Sequence, residues 1–245
     1  MKLVLSLLVF FLPSFLGVWL LRAFGYKVGK KVKIGFSFIK ADQIYFGDNV
    51  KIGHFNLLLN KSLMLEREAK IGYLNILKGP FELVLKKSAA IGNKNYITRG
   101  ELGVTYGESV LKLGELTKIT TGHHLDLTQS VIFGDFSILA GIRSQIWTHG
   151  YYHADTGSGR VRIDGQIQIG DNVYIGSGSI FNPGVKVANA IHIGAGSVIS
   201  KDLKEKGMYV GQALRYLDAD MEKVTTKLKK VEIKNLVEPV YTKNR

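Results

Sequence analysis

Four of the six histidines are candidates for acid–base chemistry. His123 and His124 are adjacent, and His149 and His153 lie in the segment 147–166, which is rich in aromatic and polar residues. An imidazole has an unperturbed pKa of about 6.5, so near neutral pH it can take a proton from a hydroxyl that is by itself a poor nucleophile. General-base catalysis therefore fits these residue types, provided that a rigid scaffold holds them in place.

A six-residue repeat near the C-terminal end indicates that scaffold. Large apolar residues recur at every sixth position, each followed by a small or turn-tolerant residue: Ile169, Ile175, Phe181, Val187, Ile193 and Ile199. A helix would give a period of 3.6 and a plain strand a period of two, so neither element explains the pattern. A triangular coil does, because each side is one short strand, each corner is a tight turn, and roughly 18 residues complete one turn of a solenoid.

The same register begins near the start of the chain and is broken in the middle. Its early members are Val28, Ile34, Phe46, Ile52 and Leu58, with Lys40 as an exception. The shorter runs that follow are out of frame with one another, which implies bulges or short insertions at corners. The period is lost over 147–166, which predicts a loop extruded from a coil, and loops on rigid scaffolds often carry function. Asn172 is expected at a corner, since Asn tolerates the left-handed backbone region.

Composition limits the classes of protein and partner. The 245 residues suffice to bury a core, and 28 Gly against 4 Pro suggest many tight corners. No Cys is present, which excludes disulfides and thiolate metal sites. The net charge of +13 suits an anionic membrane surface or a polyanionic ligand. We expect no nucleic-acid partner, because the chain has no helix-turn-helix, zinc-finger or RNA-binding motif.

Segments outside the repeat lie at both ends of the chain. Residues 1–25 form an apolar segment with no charge from Leu3 to Leu21, and three interpretations stay open: a single span, a helix pair broken at Pro13 that lies in the membrane interface, or a helix that packs in the oligomer. The basic residues that follow favour the cytoplasmic face of a membrane. In the basic segment 218–245, a short helix is predicted from a helix-spaced apolar series: Met221, Val224, Leu228 and Val231.

Three stretches of the repeat resemble the hexapeptide acyltransferases. They are Ile169-Gly-Asp-Asn-Val-Tyr-Ile-Gly-Ser-Gly, Asn182-Pro-Gly-Val and Ile193-Gly-Ala-Gly-Ser-Val-Ile-Ser-Lys-Asp. Within that family, they are most similar to the galactoside and maltose O-acetyltransferases and to the O-acetyltransferases of surface polysaccharides. The resemblance implies an all-β, left-handed parallel β-helix over residues 26–217, a homotrimer with active sites between neighbouring prisms, acetyl-CoA as the donor, and no metal.

The resemblance also implies roles for individual residues. His149, at the start of the extruded loop, is the general base. The residues expected to contact the acceptor are His153, His123, His124 and Tyr151, with Asp126 as a lesser candidate. Those expected to contact CoA are Ser177, Ala195, Ser200, Lys201 and Arg215. One departure is that Gly211-Gln-Ala-Leu stands where the family usually has a proline.

For the acceptor, the resemblance and the loop aromatics favour a sugar hydroxyl of a surface polysaccharide or a lipid-linked glycan. Three alternatives stay open. The acceptor is an amino group of an amino sugar or drug, or the chain is a non-catalytic, membrane-linked β-helix scaffold. In the third, the protein resembles the γ-class carbonic anhydrases, with His149, His153 and one of His123 or His124 as metal ligands.

Overall fold

The structure is a computed structural model that describes residues 2–211, 222, 225–233, 236 and 239–243. Two helices come first, α1 (Lys2–Phe11) and α2 (Ser14–Ala23). The strands of the first half are β1 (Lys27–Val28), β2 (Lys33–Ile34), β3 (Phe38–Phe46), β4 (Lys51–Ile52), β5 (Leu57–Leu65), β6 (Lys70–Ile71), β7 (Ile76–Lys78), β8 (Glu82–Leu85), β9 (Ala90–Ile91), β10 (Tyr96–Thr98), β11 (Val110–Leu113), β12 (Lys118–Ile119) and β13 (His124–Asp126).

The strands of the second half are β14 (Val131–Phe133), β15 (Ile138–Leu139), β16 (Gln145–Ile146), β17 (His149–His153), β18 (Arg160–Asp164), β19 (Ile167–Ile169), β20 (Tyr174–Ile175), β21 (Ile180–Phe181), β22 (Lys186–Val187), β23 (Ile191–Ile193), β24 (Val198–Ile199), β25 (Gly207–Tyr209), β26 (Leu228–Lys230) and β27 (Val240–Lys243).

The chain coils into a three-sided parallel β-helix. One side is the nine-stranded sheet β2-β4-β6-β9-β12-β15-β20-β23-β25, in which every pair of neighbours is parallel and one coil apart. The other two sides form one sheet, because β5 bends around a corner: residues 57–59 pair with β7 and residues 62–65 pair with β8. This arrangement is consistent with the left-handed β-helix that the hexapeptide repeat predicts.

The repeat supplies the interior of the prism. All six residues of the C-terminal series are buried, with at most 4% exposure. Lys40 breaks the early series because it points outward from the long strand β3, while its neighbours Ile39 and Ala41 fill the interior. Asn172 occupies the left-handed backbone region as expected, with φ of 55°.

The lost frame in the middle comes from coils of unequal length. Lys33 pairs with Lys51, 18 positions on, Lys51 with Lys70, 19 positions on, and Lys70 with Ala90, 20 positions on. Two larger insertions leave the same corner: residues 99–109 between β10 and β11, and the β17–β18 hairpin between β16 and β19. The segment 147–166, expected as an extruded loop, contains a two-stranded antiparallel hairpin.

A column of hydrogen-bonded polar side chains runs inside a second corner. Asn56 accepts from the backbone and amide N–H groups of Asn75, which accepts in the same way from Asn95. Asn95 in turn accepts from the backbone N–H of His123. Because each amide also donates to a backbone carbonyl of the next coil, these buried polar groups are satisfied.

The N-terminal helices cover the first coil. They are broken at Pro13, as one of the sequence interpretations predicts, and they bury Leu5, Val9, Val18 and Leu21 against the prism. In the part of the chain that the structure describes, no helix has the length and apolar character needed to cross a bilayer.

The C-terminal prediction is corrected in part: Glu222 and Thr225 are helical, and the Thr226 N–H donates to the Glu222 carbonyl, but the helix does not extend to Leu228. Leu228, expected on a helix, lies in strand β26, and β26 pairs antiparallel with β27. β27 pairs in parallel with β18 of the extruded hairpin, so the segment extends the hairpin into the sheet β17-β18-β27-β26. The helix-like spacing misleads at Leu228 because this residue lies in β26, an edge strand of the small sheet. Met221 and Val224 lie outside the described residues.

Candidate active site

A histidine–aspartate pair lies at the base of the extruded hairpin. His149 Nδ1 is 2.9 Å from Asp126 Oδ2. Asp126 ends β13, His149 begins β17, and β13 pairs with β16 one coil on, so the two side chains meet at one corner of the prism. An N–H at Nδ1 donates to the carboxylate, and this tautomer leaves the lone pair of Nε2 for proton transfer.

The Asp126 carboxylate is held by a dense set of donors. Oδ2 accepts from the backbone N–H and the hydroxyl of Thr148, at 3.0 and 2.6 Å, and Oδ1 accepts from the hydroxyl of Thr128 at 2.8 Å. Burial by itself would raise the pKa of Asp126. The hydrogen bond and charge of His149, with Thr148 and Thr128, outweigh burial, so the pKa lies below its ordinary value. Asp126 is therefore an anion at neutral pH.

The Asp126 carboxylate increases the proton affinity of His149. The hydrogen bond to Asp126 raises the pKa of His149 above 6.5, against the opposing effect of burial. The side chain of His149 keeps 29% of its exposure, so it is fixed by the protein and still open to a ligand. A fixed, accessible imidazole beside a carboxylate is the arrangement needed to accept a proton and to stabilise the resulting cation.

A buried ion pair anchors the hairpin. Asp164 stands directly opposite His149 in the β17–β18 register, and Arg162 Nε lies 3.0 Å from Asp164 Oδ1. Arg162 and Asp164 are 2% and 0% exposed. Arg162 also donates from Nη1 to the carbonyl of Val104, which links the hairpin to the insertion 99–109. Neither this link nor the role of that insertion was predicted from the sequence, because nothing in the repeat pattern shows that both insertions leave one corner.

Aromatic side chains form a continuous row that passes His149. Ring centroids lie 5.0 Å apart between Tyr96 and His124, 4.9 Å between His124 and Trp147, and 6.4 Å between Trp147 and His149. The row continues to Tyr151 at 5.9 Å. Its last step is His153, 6.3 Å from Tyr151, and the Arg160 guanidinium lies over the ring of Tyr151. The predicted acceptor residues His124, Tyr151 and His153 are thus brought together.

His123 is placed elsewhere. It is 1% exposed within the interior polar column, where Nδ1 accepts from the backbone N–H of Ser144 and Nε2 lies 2.9 Å from the Thr120 hydroxyl. Burial lowers the pKa of His123 to about 4, so the ring is neutral. The expected acceptor contact by His123 is corrected to a structural role, because both ring nitrogens are engaged inside the coil.

The residues expected to contact CoA bracket one face of the prism. Ser177 and Ala195 occupy successive coils at one corner, where Gly196 N–H donates to the Ser177 carbonyl. At the other corner of the same side, Ser200 and Lys201 follow β24, two coils beyond Trp147, and both are exposed. Arg215 lies outside the described residues.

The outward residues between these corners, Ile180 and Val198, give the face an apolar strip. A narrow apolar strip with small corner residues and an exposed lysine at its rim fits a pantetheine arm and its phosphates.

A family model described as bacterial transferase hexapeptide (six repeats) matches residues 166–201. The chain carries the hexapeptide repeat of the bacterial transferases. The resemblance predicted from the motifs of this segment is thereby confirmed. Among curated protein sequences, none matches the chain.

Several solved structures are similar to this hexapeptide-repeat chain at low identity. The polysialic acid-specific acetyltransferase NeuO is 19% identical with a TM-score of 0.49, over 76% of this chain and 82% of NeuO. A variant of AntD, an N-acyltransferase from Bacillus cereus in complex with dTDP and coenzyme A, is 19% identical with a TM-score of 0.42, over 88% and 95%. A maltose O-acetyltransferase from Clostridium difficile 630 is 20% identical with a TM-score of 0.27, over 84% and 78%.

The metal-site alternative requires three ligands that converge on one ion. Within the described ranges, no group of three or more His, Cys, Asp or Glu side chains is placed to bind one. Its third ligand was to be His123 or His124. The nitrogens of His123 are bonded within the coil, and the ring of His124 packs between Tyr96 and Trp147.

Proposed function

We propose that this protein transfers an acyl group from acyl-CoA to a hydroxyl of a sugar, with His149 as the general base. The observation that carries the proposal is the His149–Asp126 pair, fixed at the mouth of the hairpin with Nε2 available. The hexapeptide repeat of bacterial transferases on the adjoining coils supports the same reaction class.

The residues account for each proton and bond of such a transfer. Nε2 of His149 takes the proton of the acceptor hydroxyl while the hydroxyl oxygen attacks the thioester carbonyl. The Asp126 anion stabilises the imidazolium that forms. When the tetrahedral intermediate collapses, the new C–O ester bond remains, the C–S bond breaks, and the imidazolium returns the proton to the CoA sulfur. General-base assistance of this kind contributes about 10²–10⁴-fold to the rate.

The donor is proposed to lie along the face between the two corners that carry Ser177 and Lys201. The exposed ammonium of Lys201 suits a CoA phosphate, and the apolar strip between the corners suits the pantetheine arm. In a homotrimer, as the family resemblance implies, that face and the hairpin would border a cleft shared with a neighbouring prism. The trimer and acetyl as the transferred group are parts of this proposal.

The aromatic row supports a sugar as the acceptor. Trp147 and Tyr151 flank His149, and aromatic faces pack well against the C–H surface of a sugar ring while the ring hydroxyls remain free to react. A hydroxyl needs a base at neutral pH, which matches His149. The similar structures include O-acetyltransferases and an N-acyltransferase, so an amino sugar is the control acceptor in the assay below.

The first test is calorimetric titration of the folded protein with acetyl-CoA, where we expect micromolar binding, about −8 kcal/mol. A second measurement follows release of free CoA thiol in the presence of oligosaccharides and of matched amino sugars. His149→Ala should abolish release and leave binding intact, whereas His192→Ala, on an exposed outer strand, should change neither. Turnover by His149→Ala equal to that of the unchanged protein would refute the proposal. Faster transfer to the amino sugar than to the oligosaccharide would identify an amino group, not a hydroxyl, as the acceptor.

A further inference from the structure

The N-terminal helices leave many large apolar side chains exposed to solvent. Their buried stripe is narrow, but eight large side chains are 38–72% exposed: Leu3, Val4, Leu7, Leu8, Phe11, Phe15, Leu16 and Trp19. Contiguous apolar surface of this kind is uncommon on soluble proteins and marks a docking site. No charged side chain lies in the segment Leu3–Leu21.

The two charges at the edges of this segment are already engaged. Lys2 Nζ lies 2.7 Å from Asp42 Oδ1. The Arg22 guanidinium donates to the carbonyls of Val28 and Gly29. Between them no residue from Leu3 to Leu21 is charged, so the exposed face of α1 and α2 is mainly apolar.

A column of lysines lies beside this apolar face. Lys33, Lys51 and Lys70 occupy equivalent outward positions on β2, β4 and β6, and successive strands of a sheet are about 4.8 Å apart. All three are exposed. Within the described ranges none of them is in an ion pair, although like charges so close together repel. Such an arrangement is stabilised by an anionic partner that spans several coils.

The lysine column and the junction of α1 and α2 at residues 12–15 line a single groove of about 850 Å³. Leu12 and Phe15 line it from the helices, and Lys33, Lys51 and Lys70 line it from the sheet. Phe36 and Tyr73 also border it and are 43% and 52% exposed. The apolar and cationic features thus belong to one surface.

We propose that this surface, made of α1, α2 and the lysine column Lys33–Lys51–Lys70, binds an anionic phospholipid bilayer. The apolar faces of the helices lie within the interface, and the lysines contact lipid phosphates. Aromatic side chains such as Trp19 and Tyr73 suit the headgroup level. A lipid bilayer fits both parts of this surface. Its acyl region can take the apolar side chains of the helices, and its anionic headgroups complement the charge of the lysine column. The proposal does not depend on the reaction catalysed.

The first experiment uses flotation of the full chain with vesicles of phosphatidylcholine alone or mixed with phosphatidylglycerol. We expect binding only to the mixed vesicles, weakened by salt. Lys51→Gln with Lys70→Gln should weaken binding on the order of fivefold per lysine. The matched control, Lys204→Gln with Lys206→Gln, removes the same charge at the opposite end of the prism and should leave binding unchanged.

The apolar half is tested with Phe15→Ser and Trp19→Ser together, which should abolish flotation. The control pair, Leu116→Ser with Phe136→Ser, removes apolar side chains that are 51% and 53% exposed at outer corners of the prism and should have no effect. Trp147→Phe leaves Trp19 as the single tryptophan, so its emission should shift to the blue on mixing with anionic vesicles.

Three outcomes would overturn the proposal. The folded protein does not float, it floats equally with both vesicle types, or the control pairs lose as much binding as the test pairs. Self-association that Phe15→Ser and Trp19→Ser disrupt, without vesicle binding, would assign the surface to a second copy of the chain instead.

Discussion

Asp126 and His149 lie in hydrogen-bond contact at 2.9 Å although 23 positions separate them in the chain. The solenoid creates this contact, since the two residues leave the same corner on successive coils. The carboxylate is fixed by a coil and the imidazole by the extruded hairpin, so neither element alone would build the pair.

Asp126→Asn should lower kcat by about 10²–10⁴-fold with little change in KM for acyl-CoA. An amide cannot both accept the Nδ1–H of His149 and balance the imidazolium charge, so the base loses its orientation and its counter-charge. Steady-state kinetics would measure the effect. Asp135→Asn is the matched control, because among the described residues the Asp135 side chain accepts the backbone N–H of Glu115 alone, which an amide oxygen can also do. A variant of Asp126 with full kcat would contradict the pairing as a functional one.

The pH dependence of kcat/KM should report His149. The base must be neutral, and Asp126 raises its pKa above 6.5, so activity should rise with pH through that raised pKa and then level off. In Asp126→Asn the residual activity should begin at lower pH, because the group that raises the pKa of His149 is gone. A pH–rate profile of both proteins decides this, and an unshifted acidic limb would show that a different group titrates.

His123 should make the fold sensitive to acid. Its pKa falls from 6.5 in the unfolded chain to about 4 in the coil, so the unfolded state binds more protons between these values and stability declines as pH falls through that window. The loss attributable to this group is on the order of 3 kcal/mol between pH 7 and pH 4. His123→Asn should continue the asparagine column and unfold less readily in acid. Thermal melts at both pH values compare the two proteins, and equal acid sensitivity would contradict the assignment.

Two corner glycines should differ in cost when replaced by alanine. At Gly196 the backbone has φ of 70° and no atom lies near an added Cβ, so the cost is conformational alone, about 1 kcal/mol. At Gly176 an added Cβ would lie 2.6 Å from the backbone nitrogen of Ala195 in the next coil, so the coils must separate. Gly176→Ala should therefore unfold at much lower denaturant concentration. Equal unfolding midpoints for the two variants would show that the stacked coils can separate at less cost than their geometry indicates.

Arg162→Met should destabilise the protein by about 3–5 kcal/mol, because it leaves the carboxylate of Asp164 buried without its cation. Adding Asp164→Leu should recover most of that stability by removing the stranded charge. Chemical denaturation of the single and double variants tests the pair. A double variant no more stable than the single one would mean that the hairpin depends on other contacts of Arg162, such as the one to Val104.

The sequence predicts those parts of the structure that repeat. The six-place series ending at Ile199 identifies the core, and the loss of period after Trp147 locates the hairpin that carries His149. The partner of His149 could not be assigned in the same way. Asp126 faces His149 only because each coil has a particular length. Coils of 18, 19 and 20 residues occur in this chain, and no sequence pattern predicts which length a coil has.

Leu228 shows a different reason for failure. Its spacing to Val231 fits a helix, but the segment pairs with β27, which in turn pairs with the hairpin. Strand pairing between residues so far apart in the chain leaves no periodic mark on either partner. Local spacing therefore predicts a helix where a long-range contact selects a strand.

The pairing of Val240 with Arg162 also sets an order of events during protein synthesis. The early coils can stack on one another as they leave the ribosome, since each needs only the coil before it. The hairpin that carries the base must wait for a strand translated much later before its outer edge is covered. The coils therefore need only segments that are already made, whereas one edge of the hairpin stays uncovered until the last strand of the sheet is available.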